Sequence, residues 1–207
     1  MKRGTKTDGY YHVRVTPQAS TGLLLASNSE RAFLVSKLQD FLSPRFLINE
    51  IPAHKQLASC IDLLAFSIQS RGVELLLFSI DEIVCRQFAE QLVEQLLQYQ
   101  FENRVYSSTT YFKHKPKVQI SLLKDALQAL NQSMYIHTLH TDWEYDRYSS
   151  IGFYLHDRRG DWMRTWRLTC LYENNAEIYE QFMLGYIGTS SKKSWLPAAS
   201  FPLAPAT

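Results

Sequence analysis

Two groups of cations carry the residue types that grip a phosphate backbone. Lys113, His114, Lys115 and Lys117 crowd around Pro116, while Arg158 and Arg159 precede Arg164 and Arg167, which lie one helical step apart. Lysine neutralises phosphate and releases counterions without reading sequence, whereas a guanidinium holds phosphate or guanine through two donors. Among the arginines stand Trp143, Tyr145, Tyr148, Tyr154, Trp162 and Trp166, whose rings suit base stacking. His12 and Arg14, on the polar side of an alternating segment, join Arg71 and Arg147 to complete the set of nucleic-acid contacts expected. The competing reading is a solvated cationic face over an aromatic core.

Metal and redox chemistry are poorly provided for. His137 and His140 have a spacing that can share a cation on one helix face, but no third ligand stands near them. His54 falls in a loop with no evident role. Cys60, Cys85 and Cys170 lie far apart without a CxxC pair, so they read as small buried residues in a reducing, cytoplasmic setting. No cofactor is expected.

Composition narrows the class. The chain has 207 residues, of which 45% are hydrophobic, 13% aromatic and 20% charged, which excludes a wholly disordered polymer. No apolar run reaches the length of a transmembrane helix, and the basic start leads into no secretory h-region, so no membrane association is expected. The formal net charge of +2 is unevenly spread. Residues 103–170 hold 10 Lys and Arg against 6 Asp and Glu, whereas residues 1–102 hold 10 against 11. The cationic excess therefore coincides with the aromatic cluster.

Hydrophobic periodicity supplies the elements that must position these groups. Residues 10–16 alternate as a half-buried strand, with Tyr11, Val13 and Val15 on one side. Ser27 and Glu30 have capping-box spacing and open a helix to about Leu42, which Ser43-Pro44 ends. Apolar runs at 62–68 and 73–80 flank Gln69-Ser70-Arg71-Gly72 and predict a hairpin. Asp81 caps a helix to about Glu102, with Phe88, Leu92, Leu96 and Tyr99 as its inner stripe. A strand near Val118–Ile120 and a helix from Ser121 to about Met134 follow. The order predicts an α+β fold: a ferredoxin-like βαββαβ antiparallel sheet with helices on one face, the other face free for a ligand, plus a C-terminal helical extension. The expected divisions are a flexible basic arm over 1–9, the ferredoxin-like domain over 10–136, a helical aromatic and basic extension over 137–188, and a disordered tail over 189–207.

Several segments, taken in order, resemble a known family. The strands Leu63–Ile68 and Val73–Leu77 look like the core of single-tyrosine His-hydrophobic-His transposases, in which Pro-Asn-His-hydrophobic-His-Leu-Leu-Leu occupies the second strand. Tyr10-Tyr11-His12-Val13 resembles the family's first strand, Ser29-Glu30-Arg31 its first helix, Tyr111-Phe112-Lys113 its Arg-Phe-Lys, and Leu130-Asn131 its Leu-Asn-Pro. Tyr148-Ser149-Ser150-Ile151-Gly152-Phe153-Tyr154-Leu155 is similar to the Trp-Ser-Ser-Tyr-x-x-Tyr-Leu block of the branch associated with repetitive extragenic palindromes. Trp162-x-x-Thr165 and Ala176-x-x-Tyr179-x-x-Phe182 continue that pattern.

The resemblance implies a protein that cuts and rejoins single-stranded DNA beside hairpins. Two histidines one residue apart hold a divalent cation that polarises the phosphodiester, and a helix-borne tyrosine attacks phosphorus. Here Gly72 and Glu74 stand at the histidine positions, and Leu127 at the tyrosine position. The expectation is therefore a catalytically inactive relative that binds hairpin or single-stranded DNA, or structured RNA. Two rivals remain. One is an active strand-cleaving enzyme with a rebuilt site using Glu74, His12 and a displaced tyrosine such as Tyr135, with Tyr106 and Tyr111 as remoter choices. The other is a protein-interaction subunit of a nucleic-acid-processing or defence complex. A homodimer or a protein partner is compatible with all three.

Overall fold

The computed structural model describes residues 8–18, 24–43, 59–103, 116–139 and 143–190. Four strands form one antiparallel sheet: β1 (Gly9–Thr16), β2 (Ile61–Gln69), β3 (Gly72–Ser79) and β4 (Lys117–Leu123), in the order β2-β3-β1-β4. Helix α1 (Asn28–Leu42) and helix α2 (Glu82–Glu102) separate them in sequence, giving the expected α+β, ferredoxin-like βαββαβ arrangement.

Local chemistry sets the helix starts. At α1 both halves of the capping box form: Glu30 N–H donates to Ser27 Oγ at 3.2 Å, and Ser27 N–H donates to Glu30 Oε2 at 2.8 Å. Asp81 accepts from Val84 N–H at 2.9 Å and starts α2. Leu34 and Leu38 of α1 meet Phe88, Leu92 and Leu96 of α2 over Tyr11, Val13, Val15, Leu75 and Leu77 of the sheet.

The second sheet face departs from expectation. It is covered by α3 (Ala126–His137), whose Leu130 and Met134 pack with Leu64, Ala65 and Leu76 in a separate core cluster. The helix starts later than the sequence suggested because β4 continues through Ser121 and Leu123, which pair with His12 and Tyr10. Asp125 then caps α3 by accepting from Gln128 N–H at 2.8 Å. Register in β2 shifts between Leu63 and Ala65, so Leu63 and Phe66 face α1 and α2 while Leu64 and Ala65 face α3.

Beyond α3, the described chain forms short helices α4 (Ile151–Tyr154) and α5 (Trp166–Thr169), then α6 (Ala176–Ser190). This segment closes the outer edge of β2. Ile68 N–H donates to Tyr148 O at 2.9 Å, Ser150 N–H to Phe66 O at 2.9 Å, and Arg164 N–H to Leu63 O at 2.9 Å. An edge strand's unpaired donors and acceptors are thus satisfied from within the chain. Among the described residues, no helix is long and apolar enough to cross a membrane.

Candidate nucleic-acid interface and the sheet-face site

Strand alternation places His12 and Arg14 on the α3 side of the sheet, and Glu74 lies beside Arg14 in the β1–β3 register. Both oxygens of the buried Glu74 carboxylate are taken. Oε2 lies 2.6 Å from His12 Nε2, and Oε1 accepts from Arg14 Nε at 2.6 Å. The carboxylate's hydrogen bond and charge push the Arg14 pKa further up, fixing its guanidinium as a cation. Arg14 then donates through its outer nitrogen to the Tyr135 hydroxyl at 3.3 Å, and the Tyr135 ring meets His12 edge-on at 6.5 Å. Gln132, three residues before Tyr135 on α3, brings Nε2 to 3.4 Å from His12 Nε2.

These residues do not fit a divalent cation. Glu74 is already paired with Arg14, whose guanidinium lies 2.6 Å from it. Gly72 supplies no ligand, and a Cβ built there would lie 2.8 Å from Val15 O, so a histidine at this point requires the backbone to move. Among the described residues, no three His, Cys, Asp or Glu side chains converge. Leu127 is 46% exposed on α3, and the phenol that meets Arg14 and His12 belongs to Tyr135, about two turns later.

The arginines expected to form one patch are divided among separate tasks. Arg158 donates to the carbonyls of Arg147, Ser149 and Asp146 at 3.1, 3.0 and 3.2 Å, which binds the turn before α4. Arg167 Nε donates to Asp62 Oδ2 at 2.6 Å, and Arg164 Nε lies 3.9 Å from Asp62 Oδ1. Arg164 also donates to Asp161 O. Asp62, a half-buried residue within an apolar run, gave no sequence signal of this role. Arg147 is exposed and lies over the Tyr148 ring at 4.9 Å, and Arg31 lies over the same ring at 5.0 Å. Arg71, Lys117 and Arg159 are exposed. Lys113, His114 and Lys115 lie outside the described residues, as do His54, Tyr106, Tyr111 and His140.

His137, considered above as a metal ligand, is a core residue. Its Nδ1 faces the Tyr179 hydroxyl at 2.7 Å and its Nε2 faces Ser150 Oγ at 2.7 Å. Ser150 Oγ also accepts from Phe66 N–H at 2.8 Å, so the buried imidazole is joined directly to the clamp on β2. Burial pushes the His137 pKa down to about 3 and the Tyr179 pKa up, keeping both neutral.

No protein-family model matches the chain, and no curated protein matches it in sequence. Among solved structures, the chain is similar to a REP-associated tyrosine transposase bound to a REP hairpin. The likeness has 10% identity and a TM-score of 0.47, and it covers 79% of this chain and 93% of that one.

Proposed function

We propose that the protein is a non-catalytic, transposase-derived binder of nucleic-acid hairpins, with DNA hairpins and their single-stranded flanks as the preferred ligand. The observation that carries the inactive reading is the Arg14–Glu74–His12 cluster. An internal guanidinium occupies the carboxylate that a catalytic cation would need, and close backbone approach at Gly72 bars a second ligand. Exposed Arg71, Lys117, Arg147 and Arg159, with the cationic excess of the middle segment, support backbone binding. Lys113, His114 and Lys115 extend this set by sequence. A gel shift comparing hairpin DNA, hairpin RNA and linear duplex at low salt should show hairpin DNA bound most tightly, with affinity falling as salt rises. Binding to none of the three overturns the proposal, and tighter binding of hairpin RNA transfers it to RNA.

One observation favours a second reading. The Tyr135 hydroxyl accepts from Arg14 beside His12, so a phenol and a guanidinium share one site. In a cleaving enzyme, a bond from the Tyr135 oxygen to phosphorus would form as the phosphorus–O3′ bond breaks. Labelled hairpin DNA incubated with Mg²⁺ or Mn²⁺ should leave no adduct that survives SDS. An adduct lost in Tyr135→Phe would establish this second reading and refute the inactive one.

A further inference from the structure

Trp166 opens α5 with 56% of its surface exposed, although Trp143 and Trp162 are buried. Behind it the Arg167 guanidinium lies 4.8 Å from the Trp166 ring centre and 3.9 Å from that of Phe78. Tyr10 meets Phe78 edge-on at 5.1 Å, and Asp62 anchors Arg167 through its Nε at 2.6 Å. Tyr10, Phe78, Arg167 and Trp166 therefore form a run of contacts that is anchored at Asp62 and ends in a largely exposed indole. Such a ring loses little conformational freedom when a flat partner stacks on it.

The run also has a preferred sign. Arg164 and Arg167 both lie against the Asp62 carboxylate, two guanidinium groups to one carboxylate. An unpaired nucleotide matches both properties, with a planar base for the ring and an anionic phosphate for the guanidinium. Position agrees as well. Tyr10 and Phe78 are register partners four residues along the same sheet face from Arg14 and Glu74, a distance of about 13 Å.

We propose that Trp166, backed by Arg167 and Phe78, is a stacking site for an unpaired nucleobase flanking the hairpin stem, an assignment that rests on the nucleic-acid reading above. Fluorescence anisotropy can compare a blunt hairpin, one with a short single-stranded flank, and one whose flank is abasic. The native protein should bind the flanked hairpin about tenfold more tightly than the other two. Trp166→Ala should reduce that affinity to the blunt-hairpin level, and Trp166→Phe should retain most of it. The stacking site is overturned if the native protein binds all three hairpins alike, or if Trp166→Ala weakens all three equally. It is equally overturned if Trp166→Ala converts a dimer to a monomer in sedimentation, which would assign the ring to a second copy of the chain. Binding to no hairpin at all would remove the underlying nucleic-acid reading together with the site.

Discussion

Acidification from about pH 6.5 to pH 3 should cost the fold on the order of 4 kcal/mol through His137 alone. The ring is fully enclosed, with the Tyr179 hydroxyl on one nitrogen, Ser150 Oγ on the other, and the Tyr154 ring edge-on at 4.9 Å. Among the described residues, nothing anionic faces it to stabilise an imidazolium, and burial lowers its pKa to about 3. The unfolded chain takes up a proton near the ordinary histidine value, so between the two values the unfolded state binds more protons. Stability from this residue is complete above about pH 6.5 and drains away as pH falls. Urea midpoints measured across that range should decline steeply for the native chain. His137→Gln should be less stable near neutrality but show a shallower decline, because its amide does not titrate. Identical slopes for the two proteins would mean that carboxylates elsewhere cause the acid sensitivity.

Removing the Glu30 side chain should be nearly as damaging, about 4 kcal/mol for Glu30→Ala. This carboxylate is 1% exposed. It accepts from Ala26 N–H at 2.6 Å, from Ser27 N–H at 2.8 Å and from Gln100 Nε2 at 2.7 Å, with Gln100 also donating to Leu24 O at 2.9 Å. It therefore caps α1 and ties that helix to the end of α2. Alanine would strand the buried Gln100 amide and two part-buried backbone N–H groups at once, each costing up to roughly 1–3 kcal/mol. Glu30→Gln keeps one acceptor oxygen and should lose about half as much. Equilibrium unfolding in urea measures both, and a loss below about 1 kcal/mol for Glu30→Ala would show that water replaces the carboxylate.

Glu30 also shows what local sequence conveys. Its spacing from Ser27 announced the helix start, because a capping box is completed within one turn. Its bond to Gln100, 70 residues later, had no local signature. The same division runs through the fold. Alternation in residues 10–16 and the stripe of α2 gave strand and helix directly, since each period reports one buried face. The covering of the second sheet face was present as a subtler sign. Leu63–Phe66 and Leu75–Leu77 do not alternate, which is the pattern of strands buried on both sides.

At the sheet-face site, the absence of any ligand at Gly72 and of a histidine at Glu74 was legible from residue type alone. The partner of Glu74 was not, because Arg14 and Arg71 are both plausible until register selects Arg14. Asp62 was hidden for the same reason: a carboxylate inside an apolar strand acquires meaning only when Arg164 and Arg167 are folded back onto it. Gln132 and Tyr135, three apart on a helix, were positioned to act together, but only packing of α3 over β1 reveals their common neighbour, His12.

The clamp on β2 joins Phe66 to Ser150 across 84 residues, which sets an order of events for a growing chain. A ribosome adding roughly 5–20 residues per second completes β2 several seconds before its cover emerges. During that interval a strand rich in leucine and isoleucine presents a bare edge to every other nascent chain nearby. Fragments ending before Tyr148 would keep that edge permanently, and should accumulate as insoluble aggregates where the full-length chain does not.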